Sequence, residues 1–239
     1  MDATVIGQVV SVNVGQPRTI EWFGRQVRTA IWKAQVAGPV AVTGVNAEGD
    51  DQADRRVHGG YDKAIYAYAQ EDYEWWSDQL GRPFEPGTFG ENLTTTGIDL
   101  AAAVVGEQWR VGSAVLEVSE PRLPCFKLGI RMGDADFKDQ FDAAERFGTY
   151  LRIIDDGEVA AGAEIARLSR PTGPGRLTIG DMVEFDHHPT AEMLGRIAAS
   201  AEVPERWRAL ALRAILRHQA DPADQADPAY EADQAIQAP

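Results

Sequence analysis

The sequence predicts a mainly β domain with peripheral helices, followed by a small C-terminal segment of three helices. Up to about residue 170, short runs rich in β-branched and aromatic residues alternate with glycine-containing turns, a pattern typical of a β-barrel or a β-sandwich. The stretch PTGPG at 171–175 then has the composition of a linker, and beyond it apolar residues recur at helical spacing.

The predicted strands are the apolar runs at 5–12, 19–23, 27–32, 40–43, 64–68, 108–111, 114–118, 150–154 and 159–168. Glycine-containing turns at 24–26, 111–113 and 155–158 predict that the runs on either side of each turn pair as a hairpin. The stretch TFGENLTTTG at 88–97 combines glycines, an amide and hydroxyls, so we predict a loop there.

Two helices are predicted to interrupt the strands, at 70–80 and at 136–147, because large apolar residues recur there at helical spacing. Tyr73 and Trp76 of the first helix are interpreted as packing residues rather than as a stacking platform for a ligand.

Composition divides the chain into three parts. Residues 1–170 form the predicted β domain, and residues 176–218 form an appendage of three helices. The helix starts are marked by Thr178 with Asp181, by Thr190 and by Pro204. Residues 219–239 contain five carboxylates and neither lysine nor arginine, and they are too poor in apolar groups to offset the entropy of ordering. We therefore expect a disordered acidic tail.

The overall composition excludes several classes of protein. The chain has 239 residues and a net charge of −14, which disfavours binding to nucleic acid polymers or anionic membranes. Its single cysteine excludes an internal disulfide framework and a cysteine-cluster metal site. No apolar run has transmembrane length and the first residues lack the features of a signal peptide, so we expect a cytoplasmic location.

That cysteine, Cys125, lies in the stretch EPRLPCFKL. Pro121 and Pro124 indicate a strand end or a loop, and Arg122 and Lys127 flank the thiol. If residues 125–127 are extended, Cys125 and Lys127 face the same side. Nearby cations favour the thiolate, the form needed by a nucleophile or a soft-metal ligand. The alternative is a buried structural cysteine, the commonest environment of a free thiol.

A basic cluster, DRRVHGGYDK, occupies residues 54–63. Its glycines let backbone N–H groups approach an anion closely, and its basic side chains suit phosphate or a similar group. These side chains are Arg55, Arg56, His58 and Lys63. The alternative is a solvated turn in which Asp54 and Asp62 neutralise the cations.

Taken together, these stretches resemble the MOSC domain family, named for the molybdenum-cofactor sulfurase C-terminal domain, and within it the YiiM-like branch. The resemblance lies in GDDQADRRVHGGYDKAIYAY at 49–68, FGENLTTTGI at 89–98 and VGSAVLEVSEPRLPCFKL at 111–128, in that order, and in the position of Lys33. It covers residues 1–215. Tyr61 departs from the proline that is often found at its position in the branch, and two arginines replace the usual lysines at 55–56.

The resemblance implies a mostly β barrel-like domain that binds a molybdenum cofactor in a basic cleft. Cys125 matches the family's cysteine, which implies a catalytic role as the thiolate ligand of molybdenum. The cofactor-binding residues that it implies are Lys33, Arg55, Arg56, His58, Gly59, Gly60, Asp62, Lys63, Gly90, Glu91, Asn92, Arg122 and Lys127. The implied reaction is reductive removal of oxygen from N-hydroxylated compounds, such as hydroxylaminopurine-type bases, hydroxylamines and hydroxyamidines.

The 239 residues contain no flavin, haem or nicotinamide motif, so this reaction implies a separate electron-donor protein, a flavin or iron–sulfur reductase. Two other hypotheses use the same cleft. One is a cofactor carrier that does not turn over substrate, and the other is a sulfur-transfer domain with a persulfide on Cys125. The three-helix segment is a candidate surface for the redox partner or for a second subunit in a homodimer.

Overall fold

The structure, a computed structural model, describes residues 3–53 and 59–220. The strands in these ranges are β1 (Thr4–Val14), β2 (Arg18–Trp22), β3 (Arg25–Thr29), β4 (Ala34–Gln35), β5 (Val40–Thr43), β6 (Asn46–Ala47), β7 (Ile65–Ala69), β8 (Leu93–Thr96), β9 (Gln108–Val111), β10 (Ala114–Pro121), β11 (Thr149–Asp155), β12 (Gly157–Val159) and β13 (Glu164–Ser169). The helices are α1 (Gln70–Leu80), α2 (Phe126–Met132), α3 (Phe137–Ala143), α4 (Ile179–His187), α5 (Ala191–Ala199) and α6 (Glu205–Ala220), and a 3-10 turn spans Tyr61–Lys63.

Seven strands close into a barrel. Their order is β13-β9-β10-β11-β7-β8-β1, and β1 pairs again with β13 to complete the ring. Every neighbouring pair is antiparallel except β7 and β8, which are parallel. Closure leaves no exposed strand edges in the ring, and the short β4 extends the sheet beside β1. The predicted fold class, mainly β with peripheral helices, is confirmed.

Strand β7 separates two hydrophobic cores, because alternate side chains on a strand face opposite sides. Ile65, Ala67 and Ala69 belong to the barrel core, whereas Tyr66 and Tyr68 belong to an aromatic cluster formed with α1, α2 and α3. The helix predicted at 70–80 is confirmed as α1, and its Tyr73 and Trp76 are buried in that cluster.

The C-terminal helices pack on the barrel and share its core. Phe185 of α4, Ile197 of α5 and Trp207 of α6 are buried in the same cluster as the inward-facing strand residues. The capping box of Thr178 and Asp181 starts α4 as predicted, and Thr190 caps α5. Helix α6 extends to Ala220, and residues 221–239 of the expected acidic tail lie outside the described residues.

Two predictions of local structure are wrong. Part of the loop predicted at 88–97 is a barrel strand, β8; its threonines are β-branched, and the Thr94 hydroxyl is satisfied inside by Glu91 at 2.8 Å. The hairpin predicted around 155–158 does not form, because β11 pairs with β10 and β7, whereas β13 closes the barrel between β9 and β1. Strand β12 instead pairs with β5 outside the ring.

Helix boundaries also differ from the predictions. Helix α3 ends at Ala143 rather than near residue 147, and Glu145 beyond it has a φ of +53°, which is incompatible with a continuing right-handed helix. Helix α2 was not predicted. None of the helices in the described ranges combines the length and the apolar character needed to cross a membrane.

Candidate functional site

A cleft opens beside the barrel where several connections meet. Its walls come from the segments after β3 and after β6, the 3-10 turn, the start of β7, the segment before β8, the segment from β10 into α2, and β11. The lining residues are Thr29, Ala30, Ile31, Lys33, Asp51, Gln52, Ala53, Lys63, Tyr66, Gly90, Asn92, Arg122, Cys125, Lys127 and Tyr150.

Cys125 is half-buried on the wall of this cleft. Strand β10 ends at Pro121, and Cys125 then has extended backbone angles (φ −132°, ψ 165°) as the residue that precedes α2. Residues 125–127 are not extended throughout, because α2 begins at Phe126, so the condition under which Cys125 and Lys127 would face the same side of a strand is not met. Lys127 nevertheless lines the same cleft as the thiol.

Arg122 places a buried guanidinium in the cleft wall. It is 7% exposed, lies 5.6 Å from the ring centroid of Tyr66, and donates from Nη1 to the Leu123 carbonyl at 3.3 Å. Burial disfavours its charged form, but the negative charges that Cys125 and the nearby phenols can carry outweigh burial and raise the pKa of Arg122. The guanidinium therefore stays charged beside the cysteine.

Lys33 also lies on the cleft wall, but its charge is already paired. Its Nζ lies 2.5 Å from Oδ2 of Asp50, whose two oxygens also accept bonds from the Gly15 amide at 2.8 Å and the Asn92 side chain at 2.9 Å. Burial lowers the pKa of Lys33, and the charge of Asp50 opposes this effect. The pair ties together three connections that border the cleft.

Lys63 ends the 3-10 turn and contributes a second lysine to the cleft. Burial lowers its pKa to about 8, although the buried carboxylate of Glu120, 3.9 Å away, opposes the shift. The ring of Tyr150 lies 5.8 Å from its Nζ. Burial in turn raises the pKa of Tyr150 to about 12, so this residue remains a neutral phenol at ordinary pH.

The stretch Gly90-Glu91-Asn92 divides between the cleft and the barrel wall. Gly90 and Asn92 line the cleft, whereas Glu91 is fully buried behind it and accepts bonds from Tyr73, the Gly87 amide and Thr94. Burial raises the pKa of Glu91, and these bonds oppose the shift. Gly90 has a φ of +85°, and a Cβ there would lie 3.0 Å from Ile31, so the position suits glycine.

The structure therefore brings together seven of the predicted site residues, namely Lys33, Lys63, Gly90, Asn92, Arg122, Cys125 and Lys127. Gly59, Gly60, Asp62 and Glu91 do not line the cleft, and Asp62 accepts a bond from Arg152 at 2.7 Å. Arg55, Arg56 and His58 lie outside the described residues.

Sequence reasoning missed four residues at or behind the cleft: Asp50, Tyr66, Glu120 and Tyr150. Glu120 left a signal in the sequence, because a carboxylate near the end of an apolar strand is unusual unless it is paired. The tyrosines left no comparable signal, since strand patterning does not show which face borders a cleft.

Comparisons with known proteins agree with this architecture. A family model described as MOSC domain matches residues 54–166. The uncharacterized protein YflK of Bacillus subtilis is 34% identical over 84% of this chain and 91% of its own length. A protein named reductase from Gibberella moniliformis is 34% identical over 62% of this chain but only 27% of its own length.

The fold also matches a solved structure. The crystal structure of YiiM from Geobacillus stearothermophilus superposes with a TM-score of 0.72 and 33% identity, covering 87% of this chain and 98% of that one. The extent of these matches, the barrel fold and the order of the sequence motifs all point to the same family. The chain belongs to the MOSC domain family, in its YiiM-like branch.

Proposed function

We propose that the chain binds a molybdenum cofactor in this cleft and uses it to reduce N-hydroxylated compounds, such as hydroxylaminopurine-type bases, hydroxylamines and hydroxyamidines. The observation that carries the proposal is the placement of the chain's single cysteine. In a protein with a net charge of −14, Cys125 shares a cleft with Arg122, Lys63 and Lys127.

The residues present fit such a group. A thiolate is the soft ligand that a metal of this kind accepts, and arginine and lysine suit the phosphate that the cofactor carries. The Leu123 carbonyl takes one bond from Arg122, which leaves further N–H donors of its fork without a protein partner among the described residues.

Each residue has a distinct role in this proposal. Cys125 holds the metal through Sγ, while Arg122 and Lys127 bind the anionic part of the cofactor. Lys63 keeps a proton on Nζ at neutral pH, because its pKa of about 8 lies above the ambient value. Tyr66 and Tyr150 form the aromatic part of the wall. When bound, the cofactor supplies the two-electron chemistry that takes oxygen from an N–O bond.

The electrons for this reaction have to come from a donor, and we propose a separate flavin or iron–sulfur reductase. The support is the lack of a flavin, haem or nicotinamide motif in these 239 residues.

The test is to produce the protein in a host that makes molybdenum cofactor, and to measure bound molybdenum and pterin. Turnover of 6-hydroxylaminopurine is then followed with chemically reduced methyl viologen, which removes the need for a protein donor. Cys125→Ala and the smaller chemical change Cys125→Ser are compared with wild type. We expect metal and turnover in wild type and loss of turnover in both variants.

Four outcomes contradict the proposal. Wild-type protein without molybdenum refutes cofactor binding, and full activity in Cys125→Ala refutes the role of the thiolate. Molybdenum without turnover identifies a cofactor carrier instead. A persulfide on Cys125 found by mass spectrometry, without molybdenum, identifies a sulfur-transfer domain.

A further inference from the structure

Glu120 is a fully buried carboxylate at the end of β10, immediately behind the cleft. Its Oε2 accepts bonds from Nε of Arg206 at 2.7 Å and from the indole N–H of Trp207 at 2.5 Å, and Nη2 of Arg206 lies 2.6 Å away. Its Oε1 has no hydrogen-bond partner among the described residues and lies 3.9 Å from Nζ of Lys63. The two oxygens thus face two different cations.

The groups on Oε2 come from the first turn of α6, far away in the sequence. A second connection runs in parallel. The Glu202 carbonyl, just before α6, accepts a bond from Nη2 of Arg152 at 3.0 Å, and Nε of the same guanidinium donates to Asp62 at 2.7 Å. Asp62 directly precedes Lys63 in the 3-10 turn. The C-terminal segment is therefore linked to Lys63 by two routes: through Glu120, and through Arg152 and Asp62.

We propose that α6 is a positioning element of the cleft: Arg206 and Trp207 hold Glu120 so that its charge is shared between Arg206 and Lys63. The cleft's role in binding an anionic cofactor rests on the proposed function, but the positioning itself is a property of the protein without cofactor. Arg206 neutralises part of the carboxylate, and this limits how strongly Glu120 holds the ammonium of Lys63. The C-terminal helix thereby influences how readily Lys63, on the cleft wall, keeps its proton and its positive charge.

The charges around Lys63 determine the sign of each substitution. Among the described residues, the groups that face it include Glu120, Asp62, Arg122, Arg206 and the ring of Tyr150. If Arg206 is removed, the carboxylate of Glu120 is no longer partly neutralised by that arginine, and its attraction stabilises the protonated form of Lys63 more strongly. If Glu120 is neutralised, Lys63 loses that support and keeps the repulsion of the arginines. The two substitutions are therefore expected to move Lys63 in opposite directions.

The experiment uses NMR of the full chain without cofactor, with ¹³C-methyl groups introduced on the lysines by reductive methylation. The chain has four lysines, at positions 33, 63, 127 and 138, so few signals need assignment. Lys63→Arg identifies the signal of Lys63. Its titration is then followed in wild type, Arg206→Leu and Glu120→Gln.

We expect Arg206→Leu to raise the pKa of Lys63 by about one pH unit and Glu120→Gln to lower it, the usual range for one neighbouring charge. Arg206→Lys retains the charge and is expected to restore most of the wild-type value. Arg213→Leu is the matched control, since Arg213 is an exposed residue of the same helix, and its Nε donates to the Ala209 carbonyl one turn earlier. It is expected to leave the titration unchanged.

A merely structural role of α6 predicts a different pattern. Both substitutions would then lower the melting temperature, while the titration of Lys63 would stay at the wild-type value or shift in the same direction in both. Either result overturns the proposal. The result is separate from the proposed function, whose failure would show as wild-type protein without molybdenum while Lys63 still responds to Arg206 and Glu120.

Discussion

Replacing Asp50 with alanine is expected to destabilise the fold strongly, because it leaves the buried ammonium of Lys33 without its partner. The side chain of Asp50 is 0% exposed and that of Lys33 is 8% exposed. Breaking a buried pair by removing one partner costs about 3–5 kcal/mol. About 1 kcal/mol corresponds to about 2–4 °C for a domain of this size, so we expect the melting temperature to fall by about 6 °C or more.

The assay is denaturation by guanidinium chloride, followed by fluorescence, on a double-mutant cycle. The cycle consists of Asp50→Leu, Lys33→Met and the variant that carries both substitutions. The double variant removes both charges and fills similar volume, so its loss of stability is expected to be smaller than the sum of the losses in the two single variants. Asp50→Asn separates charge from hydrogen bonding, because the amide keeps an acceptor for the Gly15 amide.

The penalty for losing Asp50 also depends on pH. Burial lowers the pKa of Lys33 and the charge of Asp50 opposes this effect, so Asp50→Ala lowers the pKa further. In the variant the folded state then binds fewer protons than the unfolded state over a wider range of pH, and its stability rises as pH increases. The penalty is expected to be smaller at pH 9 than at pH 7. A loss below about 1 kcal/mol at pH 7, the size of an ordinary hydrogen bond, refutes the reasoning. A penalty that grows with pH does the same.

Three further predictions follow from single residues. Phe23 is 79% exposed, has a φ of +47° and occupies a position in a hairpin turn that favours asparagine. Phe23→Asn is therefore expected to stabilise the protein by about 1 kcal/mol, and a lower denaturation midpoint contradicts this. Gly90→Ala, where φ is +85° and the new Cβ lies 3.0 Å from Ile31, is expected to cost about 1–3 kcal/mol in the same measurement, whereas an unchanged midpoint shows that the loop adapts. Burial lowers the pKa of Lys63 to about 8 in the protein without cofactor, and a bound anion favours its protonated form. In the holoprotein, kcat/KM is therefore expected to fall as pH rises above about 8, where Lys63 loses its proton, and Lys63→Met is expected to abolish this limb of the profile; a limb that persists in the variant assigns it to another group.

The barrel was predictable because its strands carry local signals. Short β-branched runs and glycine turns identify most of the ring, and helical spacing identifies α1 with its correct boundaries. The pairing of the strands was harder to predict from the sequence, because closure of the barrel decides which strands pair, and the shortest turn does not. The runs on either side of residues 155–158 are adjacent in sequence, yet β11 and β13 lie at separate positions in the ring.

The candidate site was predictable where residues touch the cleft directly and unpredictable where they act through other residues. Cys125 and Arg122 are close in sequence, and the motif around them points to the cleft. Glu120 gains its meaning only from Arg206 and Trp207, which are more than 80 residues away. Likewise, the sequence gives no reason to pair Lys33 with Asp50 rather than with a ligand.

The balance of charge in the cleft favours a ligand that binds at two points. Lys33 is neutralised by Asp50, whereas Arg122 has no carboxylate within ion-pair distance among the described residues and lines the cleft together with Cys125. If the sulfur of Cys125 holds a metal, the guanidinium of Arg122 can bind an anionic group on the same ligand. A cofactor that carries both a metal and a phosphate therefore gains from both contacts, while molybdate or inorganic phosphate alone gains from one. We expect the complete cofactor to remain with the protein through gel filtration and molybdate or phosphate alone to be lost. Retention of molybdate alone, equal to that of the complete cofactor, would show that Arg122 and Cys125 act independently.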